Sequence, residues 1–258
     1  MVAPDDSGRR VHAVETACRV LEALHERDSD GGGVSELAAD LGVSKATVHS
    51  HLATLQDNEL VVKRGDRYHI SLKFVDFGEH AKGTVDIYDI AISEVDQIAE
   101  ETGEVAQFMI EEHGRGVYLH KARGDKAIQT ASYTGNRKAL HCTALGKAIL
   151  SELPRERVEE IIERYGLPAV TERTITDRDE LFGELERIRE ENVAFDNEEV
   201  LQGLRCVAAP IRHPKGDFQA AISISGPTSR LKGKRFREEI PEIVQGAANV
   251  IEVNATQV

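Results

Sequence analysis

The stretch from Val34 to Ile70, VSELAADLGVSKATVHSHLATLQDNELVVKRGDRYHI, constrains this chain more than any other. Its apolar residues predict a helix, a tight turn, a second helix and a two-stranded hairpin. Leu37, Ala38 and Leu41 mark the inward face of the first helix, and Gly42-Val43 supplies the turn. Val48, Leu52 and Leu55 recur at i, i+4 and i+7, the inward stripe of the second helix. Ser44 stands where an N-cap belongs, so that helix should start at Lys45. At about 100° per residue, the side opposite Val48 holds Ala46, Ser50 and Ala53, with His49 on its flank. Leu60-Val61-Val62, Arg64-Gly65-Asp66-Arg67 and Tyr68-His69-Ile70 read as a hairpin whose tip carries two arginines around a glycine turn. Together these predict a winged helix-turn-helix that contacts double-stranded DNA. Ala46, His49 and Ser50 are expected at the groove, and Thr47 is expected among the DNA-binding residues. Lys45, Arg64 and Arg67 are expected at phosphate.

The charge of the chain pulls the other way. The formal net charge is −13, whereas DNA-binding surfaces are normally basic, because phosphate neutralisation supplies much of the affinity. Residues 1–80 themselves carry more Asp and Glu than Lys and Arg, and lysine is scarce beside arginine. A salty cytoplasm reconciles the two. At about 1 M salt the Debye length is roughly 3 Å, so long-range repulsion fades while acidic surface maintains solubility. The composition therefore points to a halophilic source. The three cysteines, Cys18, Cys142 and Cys206, are odd in number and far apart. They argue for reduced thiols in a cytosol, not a disulfide framework. The start, MVAPDDSGRR, has no apolar h-region, and no run of about 18 apolar residues follows. A cytoplasmic protein with no membrane partner is the expectation.

A length of 258 residues suits two ordinary domains. Residues 1–10 are expected to be a disordered polar tail, 11–74 the winged unit, 75–84 a linker helix and 85–258 a second domain. Ala17, Val20, Leu21 and Leu24 stripe a first helix over about residues 12–27. Residues 72–101 are helical in pattern, interrupted near Gly83-Thr84. From Val105 the period becomes strand-like: VAQFMIEE, RGVYLHKA and IQTASY are β-rich runs separated by glycine turns. Helices are expected over Thr143–Leu150, Arg155–Tyr165 and about Asp177–Glu191. The strands LRCVAAPI and FQAAISIS follow, then a closing helix over roughly Phe236–Val250. The order predicts an α+β domain on an antiparallel sheet.

LATLQDNELV with a wing ending RYHIS resembles the IclR family of transcriptional regulators. So do Leu140–Ala148, the segment Phe195–Glu199, Gly203–Pro210 and Ser223–Pro227, in the right order over nearly the whole chain. The resemblance implies a GAF-like effector domain after the winged unit, and homodimers that often pair into tetramers. It also implies control of small-molecule catabolism. By resemblance, effector contacts fall on Ala144, Leu145, Asp196, Cys206, Ser223 and Ser225. One departure concerns DNA: the family often carries a basic residue after the Thr-Val-His run, and here Ser50 and then His51 stand there.

The residues support a pocket on their own account. Thr143 can cap its helix, leaving the amides of Ala144, Leu145 and Gly146 for an anion. Ser223 and Ser225 are two apart and share one face of a strand. A carboxylate suits the amides, and hydroxyls suit Asp196 and the serines, so a sugar acid or small oxo-acid is expected, with a neutral sugar as the second choice. No cofactor or metal is expected: His141, Cys142, Cys206 and His213 lack zinc-ligand spacing. The competing reading is a small-molecule-binding or catalytic cytosolic protein whose helix-turn-helix serves only dimerisation.

Overall fold

The computed structural model describes residues 10–27, 29–212 and 219–256. All of the expected tail except Arg10, together with His213 and the expected strand start at Phe218, lies outside the described residues. The chain divides into two compact units, Met1–Ala81 and Lys82–Val258.

The first unit holds helices α1 (His12–His25), α2 (Val34–Leu41) and α3 (Lys45–Asp57), then the antiparallel hairpin β1 (Val61–Arg64) and β2 (Arg67–Ile70). Val20, Leu24, Leu37, Val48, Leu52 and Tyr68 meet in one small core. Gly42 ends α2 at φ +67°, a left-handed conformation that glycine adopts without strain. Ser44 caps α3 by accepting from the Thr47 amide at 3.0 Å. Helix α4 (Lys73–Gly83) follows and contains the boundary between the units; none of its residues is buried.

The second unit begins with α5 (Tyr88–Thr102), β3 (Val105–Glu112), β4 (Arg115–Arg123) and the short β5 (Arg137–Lys138). Helices α6 (Ala144–Glu152), α7 (Arg155–Tyr165) and α8 (Arg178–Glu191) come next. Strands β6 (Ala194–Asn197), β7 (Leu204–Ile211) and β8 (Ala220–Pro227) precede α9 (Ile240–Ala255). The six strands form one antiparallel sheet in the order β5-β4-β3-β8-β7-β6. Alternation along the strands separates two cores. Ala106, Phe108, Val207, Ala209, Ile222 and Ile224 pack with α5 and α9. Met109, Ala208 and Ala221 pack with α6 and α8 on the other face. A π-helical turn, Arg235–Glu239, leads into α9. Pro241 follows at the start of α9 and cannot donate an N–H to a normal helical turn.

Two features differ from the sequence reading. Residues Ile128–Tyr133 form no strand. The Thr130 and Ser132 carbonyls instead accept from Lys121 Nζ at 3.3 and 2.6 Å, a side-chain anchor in place of a ladder. Strands β5 and β6, which are too short to show a period, go unread in the sequence.

Because the first unit has a core of its own, apart from the two that flank the sheet of the second unit, damage to it should leave the second unit folded. Leu52 is fully buried in the first core, and Leu52→Ala should cost that unit about 2–5 kcal/mol. Calorimetry should show the loss in one transition only; an equal downward shift of both would contradict separate cores.

Candidate functional site

On the first unit, Lys45, Ala46, His49 and Ser50 are exposed along α3, and Thr47 is half-buried. The Ser50 hydroxyl donates to its own helix at Ala46 O, 3.0 Å away, and Thr47 Oγ1 lies 2.8 Å from Ser44 Oγ in the cap. Both hydroxyls therefore have local partners, leaving Lys45, Ala46 and His49 as the open part of that face. Arg64 is exposed at the wing, beside Gly65 at φ +64°.

Arg67 differs from expectation. Its guanidinium donates to both carboxylate oxygens of Glu36 at 3.1 and 2.8 Å, and to the carbonyls of Asp30 and Gly31 at 2.6 and 3.0 Å. It is a brace between the wing and the start of α2, not a free phosphate contact, and it holds the Glu36 carboxyl below the usual carboxylate range.

In the second unit, strand register assembles the other site. Cys206 pairs with Ser225 on one side and Asp196 on the other. Ser223 pairs with Gln107 of β3. Ser225 Oγ lies 3.0 Å from Cys206 Sγ. Above this row starts α6. Thr143 caps it, its Oγ1 accepting from the Gly146 amide at 2.9 Å. The amides of Ala144 and Leu145 have no acceptor within the helix.

These elements enclose a cavity of about 260 Å³ lined by Ala144, Leu145, Asp196, Cys206, Ser223 and Ser225. Gly146 is the one expected effector residue that does not line it. Its amide is held by Thr143, and a Cβ there would meet Leu140 O at 2.1 Å. The glycine serves close packing, not a ligand.

Sequence reading missed several walls. Gln107, Tyr118, Thr130, Ser132 and Lys138 line the cavity, as do Val170, Val200, Leu201 and Leu204. Gln107 Nε2 donates to Ser132 Oγ at 2.7 Å, which draws the Thr130–Ser132 segment to the sheet. Gln107 had a detectable signal: it is a polar residue in an apolar strand run.

Burial dominates the electrostatics. Asp196 is 1% exposed, and its pKa is pushed up to about 7 by burial. The Glu199 backbone amide, donating to Asp196 Oδ1 at 2.7 Å, opposes the rise. Burial likewise raises the Cys206 thiol well above its ordinary value and Cys142 to about 11, so both act as neutral thiols. No three His, Cys, Asp or Glu side chains among the described residues converge as a metal site. Among the same residues no helix is long and apolar enough to cross a membrane.

A helix-turn-helix unit followed by a sheet domain with an enclosed polar-floored cavity defines a class of ligand-sensing regulators. Comparison with known proteins gives the family. The IclR helix-turn-helix domain matches residues 13–65, and the C-terminal domain of the bacterial transcriptional regulator IclR matches residues 80–253. The probable HTH-type transcriptional regulator ArcR of Halobacterium salinarum is 32% identical over 249 residues, covering 95% of this chain and 94% of its own. The HTH-type transcriptional regulator KdgR of Escherichia coli is 32% identical over 90% of this chain and 88% of its own. The crystal structure of Thermotoga maritima IclR aligns with a TM-score of 0.76 at 28% identity, over 95% of this chain and 99% of that one. The chain belongs to the IclR family of transcriptional regulators.

The Asp196 shift has a sign that can be tested. Its pKa rises from 3.8 to about 7 on folding, so between those values the folded state holds a proton that the unfolded chain lacks. Its stabilising contribution is full below the lower value and is lost as pH rises through the upper one. Asp196→Asn keeps an acceptor for the Glu199 amide and removes the titration. The melting temperature of the variant relative to wild type should therefore climb between about pH 4 and about pH 7 and level off above. A constant difference across that window would place the proton elsewhere.

Proposed function

We propose that this chain is a sequence-specific, effector-responsive regulator of a catabolic operon, acting in a cytoplasm as a homodimer or a dimer of dimers. In this reading residues 11–74 bind operator DNA, 75–84 link, and 85–258 sense a small hydroxylated or oxo carboxylate. The observation that carries it is the cavity, lined together by the first residues of α6, Ala144 and Leu145, and by Asp196, Ser223 and Ser225, in a unit separate from the exposed face of α3. Effector binding then alters transcription only through differential affinity for two arrangements of the assembly.

Support for an assembly comes from apolar side chains left exposed: Val11 and Val14 at α1, and Leu72, Val75 and Phe77 at α4. A single winged unit offers too little surface for tight specific binding, and helix-turn-helix dimers read half-sites about one turn apart. Similarity to a Halobacterium salinarum regulator agrees with the salty cytoplasm inferred from the net charge of −13.

The central test is binding to DNA upstream of its own gene and its neighbours. His49→Ala should relax preference at one or two base pairs, costing about 1–3 kcal/mol there. Arg64→Ala should weaken all sequences alike. If neither changes binding, α3 and the wing are not the reading surface.

Salt and assembly give a second test. Light scattering in KCl near 1 M should report at least a dimer, and specific DNA binding should persist there, where long-range repulsion is screened to roughly 3 Å. A monomer at micromolar concentration, or DNA released by a few hundred millimolar KCl, would count against the respective proposal.

A further inference from the structure

The polar valences of the cavity are few, and most are already used. Gln107 is held at both ends, Nε2 on Ser132 Oγ at 2.7 Å and Oε1 near Ser225 Oγ at 3.4 Å. Thr130 Oγ1 and Ser132 Oγ both accept from Lys121 Nζ, at 2.7 and 3.1 Å. Thr143 Oγ1 holds the Gly146 amide. What stays open is compact. The Ala144 and Leu145 amides lie at the start of α6. Ser223 Oγ, on a residue 1% exposed, has no hydrogen-bond partner. Asp196 keeps lone pairs beyond the one used by the Glu199 N–H. Lys138 adds a positive charge and Tyr118 a hydroxyl at the β4–β5 side. This set suits one carboxylate and one neighbouring oxygen.

The remaining wall is carbon. Leu145, Val170, Val200, Leu201 and Leu204 face the cavity. Val170 and Leu201 are 51% and 52% exposed, so water now covers apolar surface that an occupant would cover. A hydroxyl placed against these side chains would lose its water partners and gain none.

Building on the effector reading of this cavity, we propose that it selects a small monocarboxylate with one hydroxyl or oxo group beside the carboxylate and an otherwise apolar chain. Polyhydroxylated acids are excluded in proportion to their extra hydroxyls. The carboxylate meets the α6 amides and Ser223. The adjacent oxygen meets Asp196, which in its neutral form donates to an oxo group and in either form accepts from a hydroxyl. The chain lies along Val200, Leu201 and Leu204.

Two acids of equal charge and equal carbon number separate this from a sugar acid: 2-hydroxyhexanoate and gluconate, which differ only in hydroxyls. Titration calorimetry on the full chain in KCl should give 2-hydroxyhexanoate at least about tenfold tighter binding, since hydroxyls laid against an apolar wall lose water partners and gain none. Leu201→Ser, at an exposed position that does not endanger folding, should narrow that ratio. Ser223→Ala should weaken 2-hydroxyhexanoate by about tenfold, one lost charge-assisted hydrogen bond. Gluconate binding as tightly or more tightly would overturn the proposed ligand class and leave the regulator reading intact. Failure of both acids to bind at about 10 mM, far weaker than useful affinities, would overturn the ligand class and the use of this cavity. A gel-shift on upstream DNA with the same preparation tests the regulator reading apart from either result.

Discussion

One ammonium group holds the ligand-facing half of the second unit together. Lys147 is 1% exposed, and its Nζ sits 2.6 Å from Glu199 Oε1 and 3.5 Å from Glu184 Oε1. A charge this deep is tolerated only with partners in place. The pairing therefore fixes three elements at once. Helix α6 carries Lys147 one turn beyond the amides that face the cavity. Helix α8 carries Glu184. The turn after β6 carries Glu199, whose backbone amide in turn holds Asp196. Thr171 and Thr174 clip the same turn by donating to the Glu198 and Glu199 carbonyls. The carboxylate at the cavity floor is thus set by groups that never touch a ligand.

How much of this was legible depends on distance along the chain. The helix-turn-helix was readable because its determinants are local: the stripe Val48, Leu52, Leu55, the cap at Ser44 and the turn at Gly42 lie within a few residues of what they specify. The serines of β8 were readable because strand parity puts Ser223 and Ser225 on one face whatever lies across from them. The bracing bonds of Arg67 were not legible because its partner, Glu36, is 31 residues away, and nothing in the hairpin distinguishes a bracing arginine from a phosphate-seeking one. The packing demand on Gly146 was not legible because it comes from the Leu140 backbone folding back over the helix start. IQTASY has strand composition, but Lys121 and Gln107 compete for its polar groups, and propensity gave way to tertiary anchoring.

The sheet divides labour by face. The side toward α5 and α9 is mostly apolar and supplies stability, its polar residues lying toward the margins: His120 bonds Asp96 of α5, and Arg205 bonds Asn197. The other side mixes alanines, which admit α6 closely, with Gln107, Ser223, Ser225, Cys206 and Asp196. Polar groups on that face are costly unless paired, and their pairing runs laterally across β3, β8, β7 and β6. Ser223 is the exception, a buried hydroxyl without a partner.

The brace formed by Arg67 carries a consequence for energetics on DNA. A guanidinium already neutralised by Glu36 has no condensed ion to displace from the duplex. Each phosphate that a free cation neutralises steepens the fall of log K with log salt by about 0.9. A wing whose second arginine is retired from that count, in a unit where α3 carries Lys45 as its one lysine, would give a shallow salt slope. What the brace contributes instead is order in advance: the hairpin is tied to the start of α2 before any partner arrives, with less conformational freedom left to lose, and its bonds to the neutral Asp30 and Gly31 carbonyls depend less on electrolyte than the ion pair does.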